Sequence, residues 1–252
     1  MADRRYLGGI VVRDAATGAL VAGAVRLSSP QARFFRNRRG VFIIESAAGL
    51  DEHEEAFDAQ PASPPAESVS VDVLLEDPSG IYIPRRFNLA LPRAVPFEAA
   101  LVEVYRSPSA PVSLNWAVVR GRLVGATGAP IAAAVVRVRR DSDQQLIGVS
   151  QSVPVLPAAA GVARGAPGAR VQGEVAVPLI GMPVSIWGDD TDASVLVESI
   201  AVTLEVVPAP GAAPPIDPDE YLSVPALSEN RWSLDVASGR LVNAGTLSVT
   251  VP

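Results

Sequence analysis

Val69-Ser70-Val71-Asp72-Val73-Leu74-Leu75 sets valines 69, 71 and 73 on one side and Ser70 and Asp72 on the other, the period-two pattern of a strand with one buried face. The run closes at Asp77-Pro78-Ser79-Gly80, residue types that favour a tight turn. Working outward, the stretches 7–13, 24–28 and 40–45 read as earlier strands, and 81–83, 86–91 and 99–105 as later ones. Seven short strands in roughly a hundred residues have the size and rhythm of a β-sandwich. One short helix is expected from Asp51, where Glu54 three residues on makes a capping box and Leu50 and Phe57 share a face.

Arg106-Ser107-Pro108-Ser109-Ala110-Pro111 breaks the pattern, so the chain divides into a first domain over 1–106, a linker over 107–115 and a second domain over 116–252. Strands in the second half are expected over 116–124, 134–140, 146–153, 173–180, 195–207, 232–236 and within 240–251. Two long Pro/Gly-rich loops, 157–169 and 207–219, interrupt them. The halves repeat. Thr17-Gly18-Ala19-Leu20-Val21-Ala22-Gly23-Ala24-Val25 lines up without a gap against Thr127-Gly128-Ala129-Pro130-Ile131-Ala132-Ala133-Ala134-Val135. Gly40-Val41-Phe42-Ile43-Ile44 likewise matches Gly173-Glu174-Val175-Ala176-Val177. A repeat of domain size indicates duplicated domains rather than a solenoid, whose units run roughly 20–50 residues.

The first copy, with its Thr-Gly turn, the small residues after it, and Asn37, Gly40, Phe42 and Ile44 in the last block, resembles the carboxypeptidase regulatory-like (transthyretin-like) β-sandwich family. The match is clear over 7–46 and looser over 118–180, where Arg170 replaces Asn and Val175 the aromatic. The resemblance implies an all-β chain of two tandem seven-stranded Greek-key sandwiches of transthyretin/immunoglobulin type. It also implies modules that are appended to other parts and are not themselves catalytic.

Composition points the same way. Among 252 residues there are 20 glycines and 23 prolines, the punctuation of many short strands. All 21 basic residues are arginine, the net charge is −6, and mean hydropathy is +0.27. So apolar a chain either has a large core or buries surface against a neighbour. The acidic balance argues against bulk binding to nucleic acid or anionic membrane. Zero cysteines exclude a thiol nucleophile, an iron–sulfur cluster and a disulfide scaffold, and one histidine excludes a multi-His metal site.

The remaining candidates each carry a plainer alternative. His53 in Asp51-Glu52-His53-Glu54-Glu55 has carboxylates beside it, but consecutive positions cannot converge on one ion, and a solvated helix face explains them. The Asp189–Asp192 loop is oxygen-rich, yet the EF-hand pattern from Asp190 would need an acid where Ala201 stands. Asp217, Asp219 and Glu220 around Pro218 form a turn before they form a catalytic pair. No Walker loop, dinucleotide fingerprint or nucleophile elbow is present. We therefore expect no catalytic residue, cofactor or metal.

Arg33-Phe34-Phe35-Arg36-Asn37-Arg38-Arg39 is the one basic cluster interleaved with aromatics, a composition suited to an interface with an acidic protein surface. Arg33, Arg36, Arg38, Arg39 and Trp187 are thus the candidate partner-binding residues. The expected role is a non-enzymatic structural or adaptor subunit of a large assembly, with other protein subunits as partners. The alternative is a carbohydrate- or peptide-binding sandwich using Trp116, Trp187 or Trp232 as platforms. No secretory or spanning segment is visible, so synthesis in the cytoplasm is expected. Sandwiches of this family without a signal resemble accessory parts of phage tails and contractile injection particles.

Overall fold

The computed structural model describes residues 6–23, 25–51, 68–92, 99–154, 171–187 and 194–252. The expected helix at 51–57, His53, the 157–169 loop and Asp189–Asp192 lie outside the described residues, apart from Asp51 itself. The described chain is all-β, with sixteen strands in several sheets and only two short 3-10 turns. It divides into two compact units. Unit 1 holds Met1–Asp14, Gly18–Ser79 and Pro84–Val104, and unit 2 holds Ala15–Thr17, Gly80–Ile83 and Tyr105–Pro252.

Unit 1 contains β1 (Gly8–Asp14), β2 (Arg26–Ser28), β3 (Ala32–Arg36), β4 (Phe42–Ala47), β5 (Val69–Glu76), β6 (Arg85–Leu91) and β7 (Ala100–Val104). They form one sheet in the order β3-β4-β1-β7 and another in the order β2-β5-β6. All pairs are antiparallel except β1 and β7, which run parallel. Alternation works as the sequence reads: Val71, Val73 and Leu75 of β5 are buried, as are Phe87, Leu89 and Leu91 of β6. Ile10, Val12, Phe42, Ile44, Val102 and Val104 are buried on the other sheet.

Unit 2 contains β8 (Ala117–Val124), β9 (Ala134–Arg140), β10 (Leu146–Gln151), β11 (Glu174–Leu179), β12 (Val184–Trp187), β13 (Ser194–Val197), β14 (Ser199–Pro208), β15 (Arg231–Ala237) and β16 (Leu241–Ser248). Its sheets run β10-β9-β14-β15 and β11-β8-β16, with β12 and β13 as a separate pair. Val119, Leu123, Val175, Val177 and Leu179 of one sheet meet Val136, Val138, Val202, Leu204 and Val206 of the other in a single apolar core. Each fully buried side chain of this kind contributes roughly 1.5–3 kcal/mol, so the core outweighs any single ion pair.

The sequence repeat is a repeat of geometry. Gly18 and Gly128 both take a positive φ, at 68° and 78°. Val21 N donates to Val12 O at 2.9 Å, and Ile131 N to Leu123 O at 3.0 Å. Phe42 pairs with Ile10 as Val175 pairs with Gly121.

Two of the expected strands need correction. Residues 81–83 make only an isolated bridge, Tyr82 to Arg106, because the Asp77–Gly80 turn and Pro84 leave no length for a strand. The expected strand over 195–207 is two strands, split at Glu198. Residues 107–115 belong to unit 2, where Ser107 and Ala110 are buried and Ser107 N donates to Ile81 O at 2.7 Å. The 207–219 loop does not stand away from its own unit. Ala209 and Ile216 are buried against Val135 of β9, with Val149, Tyr221 and Leu222 packed around them. A second apolar face on β9 is what draws that loop down.

Candidate functional site

The arginine cluster sits on β3, the edge strand of the β3-β4-β1-β7 sheet, and on the turn that leads into β4. The turn forms because the Asn37 side chain accepts hydrogen bonds from Arg39 N at 2.9 Å and Val41 N at 3.0 Å, while Gly40 takes a φ of 83°. This geometry divides the four arginines. Arg36 faces inward: its Nε donates to Gly40 O at 3.2 Å, its Nη groups donate to Val21 O and Gly23 O, and it lies over the Phe42 ring at 5.2 Å. Its guanidinium is therefore committed within unit 1 and ties the turn to the chain after β1.

Arg33, Arg38 and Arg39 are exposed, and none makes an ion pair among the described residues. Arg38 and Arg39 wall a groove of about 480 Å³ that Val11, Leu20 and Val41 also line. The outer face of the same sheet mixes apolar side chains with Arg13, Glu45 and Glu103. Phe35 pairs with Ile43 across β3 and β4, Val11 pairs with Leu101 across β1 and β7, and the Tyr6 ring meets Phe35 edge-on at 5.4 Å. Leu20 is 61% exposed and Leu101 48%. Exposed apolar side chains rimmed by unpaired guanidiniums have the composition of a protein interface core. Trp187 ends β12, paired with Ser194 of β13, in unit 2, and its side chain lies outside the described residues.

Two arginine groups in unit 2 were not singled out from the sequence. On β9 and its neighbours, Glu205 takes Arg137 at 3.0 Å, Arg139 at 3.1 Å and Arg231 at 3.4 Å. The Arg137 side chain is 3% exposed and that of Glu205 6%. Burial pushes the Arg137 guanidinium below its ordinary range, opposed by the charge of Glu205. Arg137 also donates to Leu222 O at 2.6 Å, which fastens the 209–222 segment over the sheet. The second group, Arg120 and Arg122, projects from the outer face of β8 into a groove of about 520 Å³. The signal available was the spacing in Val119-Arg120-Gly121-Arg122, two arginines on one face of a strand.

Among the described residues, no cluster of His, Asp or Glu is arranged to hold a metal ion, and no helix is long and apolar enough to cross a membrane. No protein-family model matches the chain, and no curated protein matches it. Among solved structures, the TIE protein of Bacillus anthracis aligns over 94% of this chain at 6% identity, with a TM-score of 0.27. A leucine-rich repeat protein from Bacteroides thetaiotaomicron aligns over 96% at 10% identity, with a TM-score of 0.19. The chain spans 33% and 26% of those proteins.

Proposed function

We propose that this chain is a non-enzymatic structural or adaptor subunit of a larger protein assembly, built as two tandem seven-stranded Greek-key sandwiches. One observation carries this reading: the outer face of the β3-β4-β1-β7 sheet presents Phe35, Leu101 and Leu20 to solvent, with Val11 half-buried, beside three arginines that make no ion pair among the described residues. The partner it suits is an acidic protein surface offering an extended segment. Such a segment adds to the edge of β3 through backbone hydrogen bonds, sets apolar side chains on Phe35, and meets Arg38 and Arg39 with carboxylates. The regulatory-like resemblance agrees with this role, since modules of that kind are appended to other parts. An accessory position in a phage tail or contractile injection particle is the setting it suggests.

The test is sedimentation of the chain with its native particles, comparing the natural chain with an Arg38→Glu/Arg39→Glu variant. The natural chain is expected in the particle fraction and the variant in the free fraction, with association weakening as salt rises. A natural chain that stays monomeric by light scattering and joins no particle would defeat the proposal.

A further inference from the structure

The groove on the outer face of β8 in unit 2 has a construction that the assembly role does not call for. Arg120 and Arg122 stand on the same face of β8, between β11 and β16. The pairing of β16 with β8 slips between Asn243 and Thr246, which lie opposite Arg120 and Arg122, so one extra residue bulges out of β16. Gly245 takes a φ of 70° in that bulge and donates its N–H to Asn243 Oδ1 at 2.9 Å. Gly121 lets the bulge close in, since a Cβ there would come within 3.3 Å of Gly245 O. Bulges of this kind re-aim side chains and recur next to binding sites.

The charges in the groove are unbalanced. Arg120 is half-buried, its Nε is shielded from solvent without a hydrogen-bond partner, and the residues opposite it are Ala176 and Asn243, neither of which is charged. A buried guanidinium N–H with no acceptor among the described residues is unfavourable unless something accepts from it. Arg122 faces Glu174 and Thr246, so the groove holds two cations and one carboxylate. Its other polar groups, Ser109, Asn243 and Thr246, are neutral. The volume of about 520 Å³ falls within the range of small-molecule sites. In unit 1 the positions corresponding to Arg120 and Arg122 are Gly9 and Val11, so the feature belongs to unit 2 alone.

We propose that this groove binds a small hydroxylated oxyanion, the size of a sugar acid or sugar phosphate. Arg120 and Arg122 take the anionic group, and Ser109, Asn243 and Thr246 take hydroxyls. The proposal is independent of the assembly role, which rests on a different surface in unit 1.

The experiment is calorimetric titration of the full chain at low ionic strength with D-glucuronate and glucose 6-phosphate, and with glucose and inorganic phosphate as comparisons. At least one of the two anionic sugars is expected to bind saturably and more tightly than both glucose and inorganic phosphate. Losing a charged hydrogen bond should weaken that binding by about tenfold or more in Arg120→Gln. Arg122→Gln should weaken it too, and because Arg122 is exposed that variant decides the matter if Arg120→Gln fails to fold. An Arg38→Gln/Arg39→Gln variant should bind as the natural chain does, which separates this site from the unit 1 face. Failure of both anionic sugars to saturate, unchanged affinity in the folded β8 variants, or inorganic phosphate binding as tightly as either sugar would overturn the proposal.

Discussion

The two units share a strand plan and differ in where the third strand goes. In unit 1, β3 leaves β2 and pairs with β4, making a four-stranded sheet with β1 and β7. In unit 2, the corresponding β10 stays with β9 and leaves β11-β8-β16 with three strands. Local chemistry accounts for the choice. Between β2 and β3 lie Ser29-Pro30-Gln31, where proline has no N–H for a ladder and restricts Ser29 before it. Between β9 and β10 lies Asp141-Ser142-Asp143-Gln144-Gln145, which turns back as a hairpin. There Arg140 N donates to Gln145 O at 2.9 Å, Gln144 takes a φ of 58°, and Asp143 Oδ1 accepts from Gln145 N at 3.0 Å.

That one switch redistributes the open surface. In unit 1 the arginine- and phenylalanine-bearing strand becomes an exposed edge. In unit 2 the longer sheet is covered on its outer side by the 209–222 segment, and the shorter sheet keeps an open, charged face. The same residue type, arginine, therefore has opposite roles: Arg38 and Arg39 face solvent, whereas Arg137 is enclosed with Glu205.

The most damaging way to probe this contrast is to remove the enclosed carboxylate. Glu205→Ala leaves Arg137 buried and uncompensated and should cost unit 2 about 3–5 kcal/mol. Pairing Glu205→Leu with Arg137→Met should recover most of that loss, because two apolar groups need no partner. Urea unfolding followed by tryptophan fluorescence reads unit 2 selectively, since Trp116, Trp187 and Trp232 all lie there. The exposed pair of unit 1, Arg86 and Asp72 at 3.6 Å, is the counterpart; Asp72→Ala should cost under about 1 kcal/mol by hydrogen exchange. Equal losses in the two units would remove the distinction between enclosed and open charges.

The third strand itself is tested at Gly148 of β10. A Cβ there would run into Leu179 and come within 2.9 Å of Val177 Cγ1, both on β11. Gly148→Val should therefore push β10 away from β11 and destabilise unit 2 by roughly 1–3 kcal/mol. Unit 1 pairs its third and fourth strands by hydrogen bonds and has no such face-on approach to disturb. Unaltered tryptophan-detected unfolding in Gly148→Val would mean that β10 does not rest on β11 as described.

Much of this plan is legible in the amino acids. The alternation of 69–75 and the Thr-Gly repeat locate β5 and the matched turns, because period-two burial and a positive φ at glycine are local constraints. The route of the third strand is harder to read, because both linking segments read from composition as turns and short Arg-Phe runs fit an edge or an interior strand equally well. The arginine cluster was visible as a cluster, but its division was hidden. Arg36 turns inward only because carbonyls of residues 21 and 23, far away in sequence, reach its guanidinium. The Arg120 groove escaped notice for a similar reason, since it takes a bulge in β16 to open it.

Smaller effects are expected at the paired glycines before β4 and β11. Gly40 and Gly173 share a left-handed φ, 83° and 78°, so alanine at either position carries about 1–2 kcal/mol of backbone strain. Their surroundings differ. A Cβ at Gly40 would meet Arg36 Nη2 at 3.3 Å, the far end of a long side chain that can shift. A Cβ at Gly173 would stand 2.7 Å from the backbone oxygen of Leu123, which is fixed by the β8 ladder. Gly173→Ala should thus lower the unfolding midpoint of unit 2 by more than Gly40→Ala lowers that of unit 1. The reverse order would show that the second copy of the turn is the more yielding one.

The smallest expected change in stability falls on the residues given the largest expected role in association. Arg38 and Arg39 are exposed and make no ion pair among the described residues, so Arg38→Gln/Arg39→Gln should move unfolding by less than about 0.5 kcal/mol. Arg36→Gln makes the informative comparison. It removes the bonds to Val21 and Gly23 and the contact over Phe42, and should cost at least about 1–3 kcal/mol through carbonyls left unpaired. If the double variant at 38 and 39 leaves unfolding untouched yet abolishes co-sedimentation, those two arginines act on a partner rather than on the fold. If instead it destabilises unit 1 as much as Arg36→Gln does, the turn is held together by all three side chains, and its arginines are part of the scaffold.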